Sequence, residues 1–236
     1  MHETLSRGDV TNRLLLSLPS ASLARLLPEL APVSLKRGQV IDHVDGKIGY
    51  LHFVNQGLVS LVKTMRDGRS VEIGAVGTEG VTGPAALFGI ESAIVETIVQ
   101  VPGTALRIPV ELAMREMFSD AAFTATMRKY VRFAISEIAQ TAACNRLHTL
   151  QERCCRWLLI AHDSAASDTF PLTHEFLAMM LGGQRTAVTV AASALQKAGL
   201  IEYSRGSVKV TDRPGLEKAA CECYASVQSE LARLFT

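Results

Sequence analysis

The sequence predicts an α+β fold in three consecutive parts: a β-rich N-terminal unit, one long helix, and a C-terminal unit of short helices with a small hairpin. Three observations carry this. Strand-like runs recur at short spacing from about residue 33 to 109, with glycine between them. The stretch DAAFTATMRKYVRFAISEIAQTAACNRL, from Asp120 to Leu147, contains neither proline nor glycine. Residues 172–210, LTHEFLAMMLGGQRTAVTVAASALQKAGLIEYSRGSVKV, put two short helical patterns on either side of Gly182-Gly183 and then two short strand patterns.

Taken in order, residues 20–30 (SASLARLLPEL) predict a short amphipathic helix cut by Pro28. The runs VSLKRGQVIDHV, YLHFVNQGLVSLVKTM, SVEIGAVG, AIVETIVQV and TALRIPV then predict a small barrel or sandwich. Asp67-Gly68 between two of them predicts a hairpin with a type I′ turn, whose central residues both need φ > 0. From Val110 the pattern is helical. Met127, Val131, Ala134, Ile138 and Thr141 follow a 4-3-4-3 spacing, the seam of a short coiled coil. That face could instead pack on the β unit of the same chain. Phe123, Tyr130 and Phe133 supply a second apolar face for that task, which favours dimerisation through the first. A further helix is expected over about 149–162, with Leu150, Cys154, Trp157, Leu158 and Ala161 inward, and residues 163–169 (DSAASDT) read as a polar connection. After Pro214, a good first-turn residue, Leu216, Ala220, Cys223, Val227, Leu231 and Leu234 form one stripe, which predicts a single C-terminal helix.

Composition bounds the function. The 236 residues allow one large domain or two ordinary ones, and a 48% hydrophobic fraction supports a sizeable core. No apolar run approaches the ~18 residues of a membrane span. The segment MHETLSRGDVTN lacks the apolar run of a signal peptide, so a cytoplasmic protein is expected. The net charge of +1 does not advertise nucleic acid, and residues 1–145 balance 14 basic against 14 acidic groups. Between 172 and 213 there are five basic and three acidic groups, so any attraction for phosphate has to be local to one face. No Ser-His-Asp, paired-carboxylate or phosphate-loop spacing stands out, and an enzyme is not expected.

The stretch 172–210 is the most specific. Thr173 can cap the first helix, and Glu175 suits the positive end of its dipole. Leu177, Ala178 and Leu181 make one apolar stripe, and Gly182-Gly183 ends the helix. The second helix, from about Arg185 to Ala198, turns Val188, Ala191, Ala192 and Leu195 inward and carries Gln184, Arg185, Thr186 and Thr189 on its other face; Gly199 ends it. Leu200–Tyr203 and Val208–Val210 read as strands joined by Ser204-Arg205-Gly206-Ser207. This is the pattern of a helix-turn-helix with a wing, whose second helix is free to enter a DNA major groove. A helical hairpin packing a core would share the helices and the turn. The hairpin that follows, with arginine at its tip, favours DNA. A ligand-binding signalling module whose winged helix contacts protein is the alternative, and the arginines at 185 and 205 argue against it.

In this order, a glycine-punctuated β unit, a long helix and a winged helix-turn-helix resemble the Crp/Fnr superfamily of bacterial transcription regulators. The likeness spans nearly the whole chain and is strongest over 147–213, in LQERCCRWLL, LTHEFLAMMLG, RTAVT and LIEYSRG. It implies a cyclic-nucleotide-binding-like β-roll with a short N-terminal helix (1–110), a dimerisation helix (111–145) and a winged helix-turn-helix with a C-terminal helix (146–236). It further implies a homodimer on two-fold symmetric double-stranded DNA, with recognition helices about 34 Å apart. RNA polymerase is the further partner it implies. By position, Thr173 and Gln184 correspond to phosphate contacts, and Arg185 to the arginine that reads guanine. Thr186 stands where many members carry a base-reading glutamate, and Val190 where the cyclic-AMP receptor protein has a second base-reading arginine. Both departures imply a different half-site, and leave Thr186, Thr189 and Val190 to touch thymine methyls or phosphates. Arg205 at the wing tip, with Ser207 beside it, is expected on the backbone or in the minor groove.

The sensing unit departs further from the family. Cyclic-AMP binders hold the ribose with a Gly-Glu-Leu run and the phosphate with a later Arg-Ser-Ala run. Here those regions read Gly83-Pro84-Ala85 and Ile94-Val95-Glu96, without the ribose carboxylate or the phosphate arginine. A degenerate pocket near Gly83, Pro84, Ile94 and Val95 is therefore expected, closed to cyclic AMP in the usual mode. The cysteines, Cys144, Cys154, Cys155, Cys221 and Cys223, include no N-terminal cluster of the kind an iron-sulfur sensor of this superfamily carries. Cys154-Cys155 and Cys221-x-Cys223 lack paired zinc-site spacing, so the cysteines are expected to be small buried hydrophobes, with thiol redox sensing the lesser alternative. His43 and His52 could ligate haem, but lone histidines in a β unit read as ordinary structure. No metal and no cofactor are expected.

Overall fold

The computed structural model describes residues 5–165 and 167–236. Residues 1–4 of the N-terminal segment and Ala166 of the predicted 163–169 connection lie outside the described residues. Two short helices come first, α1 (Arg13–Leu16) and α2 (Ser20–Leu26), the latter passing at Pro28 into one 3₁₀ turn. Six strands follow: β1 (Ala31–Leu35), β2 (Val40–Asp42), β3 (Tyr50–Thr64), β4 (Ser70–Val76), β5 (Val81–Thr82) and β6 (Glu96–Pro109). They form one antiparallel sheet in the order β1-β6-β3-β4, with β2 added on β6 and β5 on β3. The two long strands pair from Tyr50↔Pro109 to Val62↔Glu96, with register shifts around Gln56 and Leu58. Such irregularities add twist and let a long hairpin curl over its own core, here Phe53, Val54, Val59, Val99 and Leu106.

The hairpin at Asp67-Gly68 forms, but not with the expected type I′ turn. Gly68 N–H donates to Met65 O at 3.0 Å and Met65 N–H to Arg69 O at 2.8 Å, and of the loop residues only Gly68, at φ 84°, is left-handed. The connection is a type I turn followed by a left-handed glycine, the three-residue alternative, and Asp67 holds it by accepting from the Arg69 N–H and guanidinium.

The helical part begins with α3 (Val110–Ser119) and α4 (Ala121–Leu147), split at Asp120, whose carboxylate accepts from the N–H groups of Ala122 and Phe123. Helix α5 (Leu150–Ser164) opens on a capping box between Thr149 and Glu152. Strand β7 (Thr169–Pro171) starts at the last residue of the predicted polar connection, whose first residues belong to α5; it pairs with a later strand, and a three-residue run is too short to show a period. Then come α6 (His174–Leu181), α7 (Arg185–Lys197), β8 (Ile201–Ser204) and β9 (Ser207–Val210). The C-terminal stripe does not make one helix. The chain runs α8 (Arg213–Ala219), an extended residue at Ala220 (ψ 157°), then α9 (Cys223–Leu234). The break lets α9 fold back along α4, where Val227 and Leu234 join the core that holds Leu14, Leu15, Phe123 and Met127. Arg13 lies over the Phe235 ring, 4.4 Å from its centre.

The seam on α4 also needs correction. Phe123, Tyr130 and Phe133 pack inward as expected, but Met127 and Thr141 are buried beside them and leave the seam. The outward face is Val131, Ile135, Ile138 and Ala142, with Ile135 62% exposed. A 27-residue helix flanked on one side by a β unit and by α9 has a wider inward face than a two-position seam, so the outward stripe is rotated from the predicted one.

The last unit does not stand apart. Trp157, Leu158, Met180 and Leu181 share one apolar cluster with Leu58, Val62, Ala75, Ile98 and Val101 of the β unit. Trp157 Nε1 donates to the buried Glu72 carboxylate at 3.2 Å, and Gln100 Nε2 meets Met180 Sδ at 2.8 Å. Burial pushes the Glu72 carboxyl up to about 7, against hydrogen bonds from Ser60 and Trp157 and the nearby Arg156 charge. On α4, burial and the neighbouring Glu79 push Glu137 up to about 8.

Candidate nucleic-acid interface

The helix-turn-helix is set by caps. Thr173 Oγ1 accepts from the Phe176 N–H at 3.2 Å and starts α6. Gly182 ends it in the left-handed region at φ 58°, with its N–H on Met179 O and the Gly183 N–H on Ala178 O. A β-carbon at Gly182 would lie 3.0 Å from Val71 on β4, so glycine is needed both for the turn and for the approach of the β unit. Gln184 is the N-cap of α7, and Val188, Ala191, Ala192 and Leu195 are buried against α5 and α6. Burying a side chain such as Val188 or Leu195 is worth about 1.5–3 kcal/mol, which fixes the rotation of α7 about its axis.

That rotation decides what faces out. Gln184, Arg185, Thr186, Val190, Ser193 and Lys197 are exposed, Val190 at 70%. Arg185 is the first residue of α7, and among the described residues no acidic group pairs with it. The wing is a two-residue hairpin. Arg205 at φ 50° and Gly206 at φ 78° sit between the paired residues Ser204 and Ser207. The I′-like turn expected at Asp67-Gly68 occurs here instead, with arginine in a left-handed position. Gly206 O accepts from the Leu172 N–H at 2.8 Å, which sets the wing tip beside Thr173.

The predicted contact residues thus fall into two groups. Thr173, Gln184, Arg185, Thr186, Val190 and Arg205 are exposed. Thr189 and Ser207 are half-buried with their hydroxyls engaged: Thr189 bonds the Arg185 carbonyl at 2.9 Å and His174 Nδ1 at 3.0 Å, and Ser207 donates to Phe170 O at 3.2 Å. Of the five basic residues in this region, Arg213 is taken by Asp163 and Glu217, which leaves Arg185, Lys197, Arg205 and Lys209 as the exposed cations.

Sequence reasoning missed His174. Its ring stacks on Tyr203 with centres 4.3 Å apart, and the Tyr203 hydroxyl donates to Leu172 O at 2.6 Å. One histidine so ties α6, α7 and the wing together. Burial, and next the Arg185 charge, hold it below the usual histidine range. Only the tertiary contact identifies it, since a histidine after a cap has no pattern of its own. Gln196 Oε1, accepting from Tyr203 N–H at 3.0 Å, was missed for the same reason.

A model of the Crp-like helix-turn-helix domain matches residues 152–219, and a model of the cyclic nucleotide-binding domain matches residues 32–120. The chain belongs to the Crp/Fnr superfamily. It is a DNA-binding transcription regulator, with both modules in the family's order. No curated protein sequence matches it. Among solved structures, it is similar to a Crp/Fnr-family regulator from Eubacterium rectale at 19% identity and TM-score 0.68, over 88% of this chain and 97% of that one. FixK2 from Bradyrhizobium japonicum aligns at 16% identity and TM-score 0.69, over 81% and 98%. A CRP-family regulator from Thermus thermophilus aligns at 22% and 0.67, over 80% and 96%. At these identities the likeness is one of fold.

The regulator's β-roll fits a cyclic nucleotide poorly. From Val81 to Glu96 the sequence holds no lysine or arginine and two glutamates. Gly83 opens the 3₁₀ turn Pro84–Phe88, while Ile94 is 64% exposed. The cavity of 610 Å³ next to that turn is lined by Lys47, Ile48, Tyr50, Ala86, Glu91 and Glu111, so its one lysine stands among carboxylates, and it includes none of Gly83, Pro84, Ile94 and Val95. The cysteines depart from expectation as well. All five are buried, but Cys144, Cys221 and Cys223 converge with His148, all four donor atoms within 4.8 Å of one another. Zinc-site spacing in sequence reveals only pairs within one segment, and this set joins two segments far apart in the chain. No helix among the described residues is long and apolar enough to cross a membrane.

Proposed function

We propose that the regulator works as a homodimer that reads a two-fold symmetric DNA site. The two copies pair through α4, and each places α7 in a major groove. The observation that carries this is the rotation of α7: its buried side is used inside the chain, and its N-terminal end presents Gln184, Arg185 and Thr186 outward, with no acidic partner for the guanidinium among the described residues. Arg185 then reads guanine through O6 and N7. Gln184 and Thr173 take phosphates, Thr186 and Val190 approach base edges, and Arg205 meets the backbone or minor groove. Ser207 and Thr189 act mainly by holding the wing and the helix end. The outward stripe Val131, Ile135, Ile138 and Ala142 on α4 supplies the dimer seam, at the 4-3-4 spacing of a coiled coil.

On this reading, residues 1–110 form the sensing unit, 111–145 a helical stretch that the structure splits at Asp120 into α3 and the pairing helix α4 rather than the single helix expected, and 146–236 the DNA-binding unit. The protein acts in the cytoplasm with RNA polymerase as its further partner, and the β-roll answers to something other than a cyclic nucleotide held in the usual mode. Selection of bound sites from random duplex DNA tests the core of the proposal. A palindromic consensus with half-sites about one helical turn apart is expected. An asymmetric or absent consensus overturns it.

A further inference from the structure

We propose that Cys144, His148, Cys221 and Cys223 form a tetrahedral site for a single thiophilic divalent metal ion, zinc by preference, which clamps the end of α4 to the turn between α8 and α9.

The geometry is that of a closed Cys3His site. The Cys144 and Cys221 sulfurs are 3.5 Å apart, and the Cys223 sulfur is 3.5 Å from His148 Nδ1. Around a tetrahedral zinc with bonds of about 2.3 Å to sulfur and about 2.0–2.1 Å to nitrogen, neighbouring donors stand roughly 3.5–3.8 Å apart. The two sulfurs are also well beyond the about 2.05 Å of a disulfide bond. All four donors fit within 4.8 Å, which suits one ion rather than a cluster of several.

The surroundings are those of a ligand set. A metal-bound histidine commonly has its second nitrogen held by a carboxylate, and here His148 Nε2 is 3.1 Å from Glu222. Gln140 Nε2 donates to the Cys223 sulfur at 3.0 Å. Three thiolates and a neutral imidazole around a divalent cation leave one net negative charge. The guanidinium groups of Arg153 and Arg156 lie close enough to Cys144 to act on it electrostatically and offset that charge. The three cysteines form a small buried cluster of their own, separate from the larger apolar cores.

The position gives the site a role. Cys144 lies in the last turn of α4 and His148 is its C-cap, one residue before the cap of α5. Cys221 and Cys223 lie where the predicted single C-terminal helix breaks. The ion would pin the joint between the long helix and the DNA-binding unit, and would account for the break.

Elemental analysis of the full-length chain, purified under reducing conditions without chelator, should find one zinc per chain. The Cys221→Ser, Cys223→Ser double variant should hold none. Since losing buried thiols can unfold the joint by itself, cobalt(II) added to metal-stripped wild-type protein gives an independent reading. An intense tetrahedral visible spectrum with a thiolate-to-cobalt band, displaced by zinc, is expected. His148→Cys should keep the tetrahedral spectrum with a stronger thiolate band, and His148→Ala should release the ion faster. A weak six-coordinate cobalt spectrum overturns the proposal. So does iron with acid-labile sulfide, which would mean a cluster, or a Cys144–Cys221 disulfide as the resting state.

Discussion

Replacing Arg185 by alanine separates base reading from general attraction to DNA. The side chain is exposed at the first position of α7, and among the described residues it forms no ion pair, so its removal breaks no salt bridge in the fold. A cation at a helix N-terminus opposes the dipole by about 0.3–1 kcal/mol. The variant should therefore melt at the wild-type temperature or slightly above. On DNA the expected cost is about 1–3 kcal/mol per half-site for a lost bidentate contact to guanine. With two half-sites this is about 2–6 kcal/mol, at least roughly 30-fold in affinity. Fluorescence anisotropy on a selected palindrome and on a scrambled duplex, at several salt concentrations, reads the difference. The loss should appear on the palindrome, relax one base position in each half-site, and be small on the scrambled duplex. An equal loss on both duplexes, with a shallower salt dependence, would mean a phosphate contact and would refute the assignment.

Ile135→Glu on the outward face of α4 should give a folded monomer by sedimentation velocity, with binding to the palindrome lost; a dimer that survives would move the interface elsewhere. The buried carboxyls predict a pH effect on stability. Glu72 and Glu137 keep their protons in the folded chain up to about 7 and about 8, against 4.5 when unfolded. Their contribution is thus fully present below about pH 4.5 and is lost as pH rises towards 8, at up to about 1.4 kcal/mol per pH unit for each. Glu137→Gln, in which the charge felt from Glu79, Glu72 and Arg156 no longer meets a titrating partner, should melt with a flatter pH profile and be more stable than the wild type at pH 8. An unchanged slope refutes the assignment. Titration calorimetry with cyclic AMP and cyclic GMP should show no binding in the micromolar range, since no cation stands between Val81 and Glu96 to take the phosphate; a micromolar affinity for either nucleotide overturns that reading.

The sequence by itself determined most of the elements and the face proposed to meet DNA. Those rest on local rules: a threonine cap, a glycine stop, and apolar residues at helical spacing from Val188 to Leu195, whose burial leaves only one way for Arg185 to point. Even the departures at Thr186 and Val190 are local facts. Tertiary structure decided what local spacing cannot carry. Which stripe of α4 turns outward depended on the β unit, α5 and α9 packing on it, so Met127 and Thr141, the latter bonded to Arg156, went inside although their spacing suited a seam. The wing is held by His174 on Tyr203, a contact between residues of no shared pattern. Cys144 and His148 meet Cys221 and Cys223 across more than seventy residues of chain. Spacing in sequence reports only neighbours on one element, while donors on two elements become a set only when packing closes the distance between them.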